Sequence, residues 1–402
     1  IGNESWRWVE GDRSYNVTLA GIATVYSATG IVSATKFCGD GSALTGISGG
    51  GFEQDDQGNL VAGTGAGAAK DSDTCFNIMI GCNSGAALNE GDHNILMGCN
   101  SGCAINSGYY NIAFGRNTGK SITSAGQNIL LGSGAGSNLT TTGKNIILAT
   151  GGIPLKSGTT SCNNIIMGNE AGRNLDSGRC NILIGPQAGC DLSSGCNNFL
   201  FGYYAGTNLT TGSDNIALGQ NAMGAGTVTG SKNIALGKCA GKSVTSGGEN
   251  IFLGSYAGQC MTACSYNVII GALAGCKVVR EYNLMIGFGA GRNTCSATGN
   301  TFVGTYAGKC NTTGENNTFI GRYAGGYSAS ITGDCNIIIG RATVLPDATA
   351  NKQLTIGHGS DYWVEGDSSY NVTVAGIATV YAATGIVSAT KFCGDGSALT
   401  GI

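Results

Sequence analysis

Charge, histidine and proline are scarce in this chain, and each shortage closes off a class of function. Only 11 % of the 402 residues are charged, the formal net charge is -3, and no basic run occurs. Phosphate backbones and anionic lipid surfaces are held by clustered Lys and Arg, so neither nucleic acid nor a charged membrane surface is an expected partner. No apolar stretch approaches the ~20 residues of a membrane span. The two histidines, His93 and His358, have no Cys or carboxylate at ligand spacing, so no zinc site is expected. Asp40, Asp71 and Asp73 read as solvated turn carboxylates rather than cation ligands. No Ser, His and Asp set marks a hydrolase. Two stretches, Gly115–Ser121 and Gly237–Ser243, resemble phosphate loops but are one residue short of that spacing and precede no helix. No enzyme activity and no cofactor are expected.

What the chain has in excess is glycine, 71 residues, beside a hydrophobic fraction of 42 %. Collagen is excluded because no Gly-X-Y period exists, and a disordered linker because the chain is too apolar. The glycines belong to a repeat. A phrase Asn–apolar–apolar–apolar–Gly begins at Asn77, Asn94, Asn111, Asn128, Asn145, Asn164, Asn181, Asn198, Asn215, Asn233, Asn250, Asn267, Asn283, Asn300, Asn317 and Asn336, with weaker copies at Asn59 and Gln353. Of the 17 steps from 59 to 353, 12 are 17 residues long and the rest are 16, 18 or 19. A short fixed period without room for helices predicts an all-β solenoid, a parallel β-roll or β-helix of about 17 residues per coil.

Counting the Asn as column zero, the apolar columns one to three predict a strand. Gly at columns four, eight and about fourteen supplies turns, column eleven is mostly apolar, and each coil reads as two short strands and two turns. The recurring Asn can pair its side-chain amide with its counterparts in neighbouring coils, an asparagine ladder of Asn77, Asn94, Asn111, Asn128, Asn181, Asn198, Asn250, Asn267, Asn300 and Asn317. Strand alternation sends columns one and three to one face and column two to the other. All are apolar, so both faces need cover. Ile182, Ile184, Phe199, Phe201, Ile251, Leu253, Ile337 and Ile339 are expected in a core, shared with other copies of the chain in a homotrimer.

Residues 1–47 and 356–402 are near copies at an offset of 355, differing only at positions 3, 4, 6, 7, 13, 19 and 27. Each reads as a β-rich cap or connector; 48–58 reads as a Gly-rich joint and 59–355 as the solenoid of about 17 coils. This repeat of repeats predicts end-to-end tandem assembly and a parent protein with more than one such unit. The 17 cysteines scatter among turn columns. Cys82 and Cys99 share column five, and Cys180 and Cys196 each precede a strand, so these are candidate disulfides; free thiols packed as small apolar groups are the equal alternative.

The phrase Asn-Ile-Ala-Leu-Gly at 215–219 and 233–237, the latter followed by Ala240-Gly241, resembles the head repeats of YadA-type trimeric autotransporter adhesins. That likeness implies a trimeric β-roll, though the repeat here is longer. The endings 39–47 and 394–402 and the stretch 316–325 resemble long repetitive tail-fibre-like structural proteins of marine phages. The resemblance implies a structural fibre at the virion surface or outside the cell. Two alternatives remain open: an adhesin whose outer turns hold a host-surface glycan, and, more weakly, an ice-binding solenoid.

Overall fold

The computed structural model describes residues 53–149, 161–278, 280–327 and 329–375, together with the backbone of four short strands before residue 20. The chain divides into two compact units, 1–51 and 52–402. In the second, seventeen three-residue strands run from Leu60–Ala62 to Ile337–Ile339, each paired parallel and in register with the next. This is a parallel β-solenoid, and no described residue is helical. Its axis spans about 80 Å at ~4.8 Å per coil. No register joins the first strand, Glu53–Gln54, to the last, Val372–Val374, so the sheet is an open ladder rather than a closed barrel.

One coil shows why the chain folds this way. Asn181 leads into the strand Ile182–Ile184, and Gly185 ends it at φ 122°. Two tight turns follow, with Ala188 N–H donating to Gly185 O at 3.2 Å and Leu192 N–H to Gly189 O at 3.0 Å. The remaining backbone bonds the next coil, as in Ser193 N–H to Thr210 O at 2.9 Å. A Cβ on Gly185 would stand 2.7 Å from the Gly202 carbonyl oxygen, so this corner demands glycine for both its angle and its clearance.

The expected second strand is replaced by these turns. Around column eleven only isolated bridges form among the described residues, Leu209 with Val228 and Asn311 with Ile331. The physical reason is the left-handed backbone that recurs on both sides of the strand, for example at Cys180 (φ 57°) and Gln187 (φ 56°), which bends the chain before an extended run can develop.

Within each coil, column two points inward: Leu183, Leu200, Phe252 and Ile338 are fully buried. They meet the column-seven alanines, such as Ala188 and Ala257, and the column-eleven residues, such as Leu192 and Met261. The residues expected in a core shared between chains take the other face of the strand. Ile182, Ile184, Phe199, Phe201, Ile251, Leu253, Ile337 and Ile339 lie on the outward face, and Phe201 is 51 % exposed. The cause is alternation: the Asn at column zero is buried, so column two shares its face and columns one and three point away.

Residues 53–58, read from sequence as part of a joint, instead open a hairpin in which Glu53–Gln54 pairs antiparallel with Leu60–Val61; 48–52 lie outside the described residues. The stack ends in a similar hairpin, where Glu365 faces Thr373 and Gly366 faces Val372. Both carry an Asp-x-x-x-Asn turn: Asp55 Oδ1 accepts from Asn59 N–H at 2.8 Å, and Asp367 Oδ1 from Asn371 N–H at 3.0 Å. In the first unit, Glu10 faces Thr18 and Gly11 faces Val17, the same register at the offset of the near copy. The rest of the two cap segments, residues 1, 4, 5, 8, 12–16 and 20–47 of the first and 376–402 of the second, lies outside the described residues.

Candidate functional site

Two features recur in every coil, a buried polar row and an outward apolar row. The polar row is built by column zero. Asn94 Nδ2 donates to Asn77 Oδ1 at 3.0 Å, and the Asn94 backbone N–H donates to the same oxygen at 2.8 Å. The pattern repeats through Asn111, Asn128, Asn181, Asn198, Asn250 and Asn267. Asn300 continues it at 3.3 Å. Each Nδ2 has a second hydrogen, and in most coils it reaches across to a backbone carbonyl of its own coil, as Asn198 does to Gly212 O at 2.9 Å. The row thus satisfies buried donors and acceptors that the turns leave over.

At Asn317 the row changes. Its backbone N–H still donates to Asn300 Oδ1 at 2.9 Å, but Nδ2 goes to Asn311 Oδ1 at 3.1 Å. Asn311 occupies a column-eleven position normally filled by Leu, Ile or Val, and its own Nδ2 bonds Gly314 O at 2.8 Å. Asn311 also begins a glycosylation sequon; fully buried, it is closed to a glycan.

The outward row is the larger departure from an ordinary soluble surface. Columns one and three supply two parallel lines of Ile, Leu, Phe, Met, Val and Ala, interrupted only by Thr301 and Thr318. Phe114 is 54 % exposed, Ile337 42 % and Ile320 40 %. Two lines of side chains along about 80 Å present on the order of 800 Å² of apolar surface. The largest apolar patch on a typical monomer is about 300–600 Å².

Turn columns flank this row and carry exposed aromatics. Stacking at one coil's spacing brings Tyr266 and Tyr282 to 5.2 Å between ring centroids, within 3° of parallel. His93 sits between Phe76 at 5.2 Å and Tyr110 at 4.9 Å. On the other flank Phe288, Tyr306, Tyr323 and Tyr327 follow one another at 5.1, 5.0 and 4.2 Å, with Lys309 over Tyr306 and Arg322 over Tyr323. The linear sequence does not display this continuity, which the in-register stacking creates.

Cys82, Cys99, Cys180 and Cys196 are all free thiols. Cys82 and Cys99 do share a column. Cys180 and Cys196 do not: Cys180 is one residue ahead of its Asn and Cys196 two, and the cross-coil neighbour of Cys180 is Cys162, whose carbonyl accepts the Cys180 N–H at 3.1 Å. His358 Nε2 lies 3.1 Å from Arg341 Nη1. Among the described residues no group of three or more His, Cys, Asp or Glu is placed to hold a metal ion, and no helix is long and apolar enough to cross a membrane.

Comparison with protein-family models, with curated proteins and with solved structures found no match. The class that the fold defines is a repetitive β-solenoid of about 17-residue coils, compatible with a fibre-like repeat protein.

Proposed function

We propose that this chain is a structural protein, the shaft of a virion fibre or extracellular appendage, assembled as a homotrimer through its outward apolar face. The observation that carries the reading is the pair of apolar lines along the solenoid, interrupted only at Thr301 and Thr318. A specific interface buries about 800 Å² per partner, which is the size of this face. Three such faces around one axis would place Phe199, Phe201, Ile251 and their counterparts in a common dry core. The two end hairpins, whose outer strands Glu53–Gln54 and Val372–Val374 each pair on one side only among the described residues, suit end-to-end tandem assembly. Function on this reading is mechanical: hydrogen bonds along the axis give stiffness and length. Sedimentation of the full chain with electron microscopy tests it. Rods containing three chains are expected; a monodisperse monomer with an intact β circular dichroism spectrum overturns the trimer.

A second reading, a glycan-binding adhesin, is favoured by the aromatic and cationic line through Phe288, Tyr306, Tyr323 and Tyr327, exposed at Phe288 and Tyr327 and half-buried between them. Binding to a glycan array that is lost on Tyr323→Ala and Tyr327→Ala would move the function from shaft to receptor recognition.

A further inference from the structure

One pair of cysteines lies across the coil that is shorter than the rest. Cys260 belongs to the Asn250 coil and Cys276 to the Asn267 coil, the single coil that is only 16 residues long. The Cys260 N–H donates to the Cys276 carbonyl at 3.1 Å. In a parallel stack such a bond joins residues one place out of register, so ~4.8 Å between coils and ~3.3 Å along the chain put their Cα atoms roughly 6 Å apart, inside the ~4.4–6.8 Å that a disulfide spans. The Cys276 side chain turns back toward the neighbouring coil, with Sγ 3.8 Å from Gln259 Oε1, and Gln259 directly precedes Cys260. Cys260 is exposed and Cys276 half-buried, so a small oxidant can reach the first and the second can follow. Burial raises the Cys276 pKa first, and the Cys260 thiol raises it further.

We propose that Cys260 and Cys276 form a redox-closed staple between consecutive coils, made by exchange with a small-molecule disulfide such as oxidised glutathione. The Cys260 thiolate attacks one sulfur of the oxidant, forming a mixed disulfide and expelling one glutathione thiolate. The Cys276 thiolate then attacks the Cys260 sulfur, closing the protein disulfide and expelling the second. Two protein thiols are oxidised, one glutathione disulfide is reduced to two thiols, and the two S–H protons pass to the departing thiolates. The staple would lock the short coil to its neighbour independently of how chains assemble.

The test uses the full chain, equilibrated with oxidised and reduced glutathione, alkylated, digested without reductant and read by mass spectrometry. The expected product is a linked peptide pair containing Cys260 and Cys276, lighter by two hydrogens than the separate thiol peptides. In Cys276→Ser the same treatment should leave Cys260 as a mixed disulfide with glutathione. Recovery of Cys260 and Cys276 of the unsubstituted chain only as separately alkylated or glutathionylated peptides, with circular dichroism unchanged, overturns the proposal.

Discussion

Replacing one asparagine of the buried row should unzip the solenoid locally, and Asn198 shows how much is at stake. The residue is 1 % exposed. Its Nδ2 donates to Asn181 Oδ1 at 3.1 Å and to Gly212 O at 2.9 Å, while its Oδ1 accepts the Asn215 backbone N–H at 3.0 Å and Asn215 Nδ2 at 3.1 Å. Asn198→Ala removes all four bonds. Asn181 Oδ1 keeps the Asn198 backbone N–H at 2.9 Å, and Asn215 Nδ2 keeps Gly230 O at 3.0 Å. The buried Asn215 N–H and Gly212 carbonyl have no such second partner to fall back on. Each buried group orphaned in this way costs about 1–3 kcal/mol. Water entering the vacated space returns part of that, so we expect a loss of about 3 kcal/mol. Because coils in a solenoid contact only their neighbours, the effect should concentrate at the Asn181, Asn198 and Asn215 coils. Hydrogen exchange resolved by residue, together with denaturant unfolding, measures both. The adjacent Asn197 is the control: it is exposed at φ 58°, and Asn197→Gly should cost little because glycine adopts that angle freely. A cost under about 1 kcal/mol for Asn198→Ala, with the Asn215 amide still protected, would refute the ladder as a stabilising device.

Phe201→Glu, on the outward face, should leave the coil folded yet abolish self-association in sedimentation; an assembly that survives the buried charge would argue against that face as the interface. Phe252→Ala empties a fully buried position and should cost about 3–5 kcal/mol in denaturant unfolding. Gly185→Ala forces a side chain at φ 122° against the Gly202 carbonyl and should lower the thermal midpoint measurably, whereas an unchanged midpoint would show that the corner can relax. Hydrogen bonds from the Asn371 side chain, then from the Asn371 and Ser369 backbones, hold the Asp367 carboxyl below its usual range. A depressed carboxylate stabilises above its unfolded pKa of about 3.9 and loses that contribution as pH falls through the lower folded value. The Asn371 amide resonance should therefore shift on acid titration below about pH 4 and stay constant above it; in Asp367→Asn the shift should vanish.

Much of the architecture is determined by sequence because the repeat is short and each column has one task. Asn181-Ile182-Leu183-Ile184-Gly185 already contains a buried-amide position, a strand and a corner, and the 17-residue step places the same groups one coil apart. Parallel stacking in register follows from that spacing alone, since only it aligns Asn with Asn and Gly with Gly.

Tertiary structure alone decides which apolar column is inside. Columns one, two and three are all greasy, so Ile182, Leu183 and Ile184 look equivalent in sequence. The buried asparagine, tied by its Nδ2 to a carbonyl across its own coil, sets the inward face and carries Leu183 with it, leaving Ile182 and Ile184 outside. The same holds for the absent second strand: its apolar residues are present, but Cys180 and Gln187 take left-handed backbone angles that a linear pattern does not reveal. Pairs such as Cys260 with Cys276, 16 residues apart and in different columns, become neighbours only once the turns have closed.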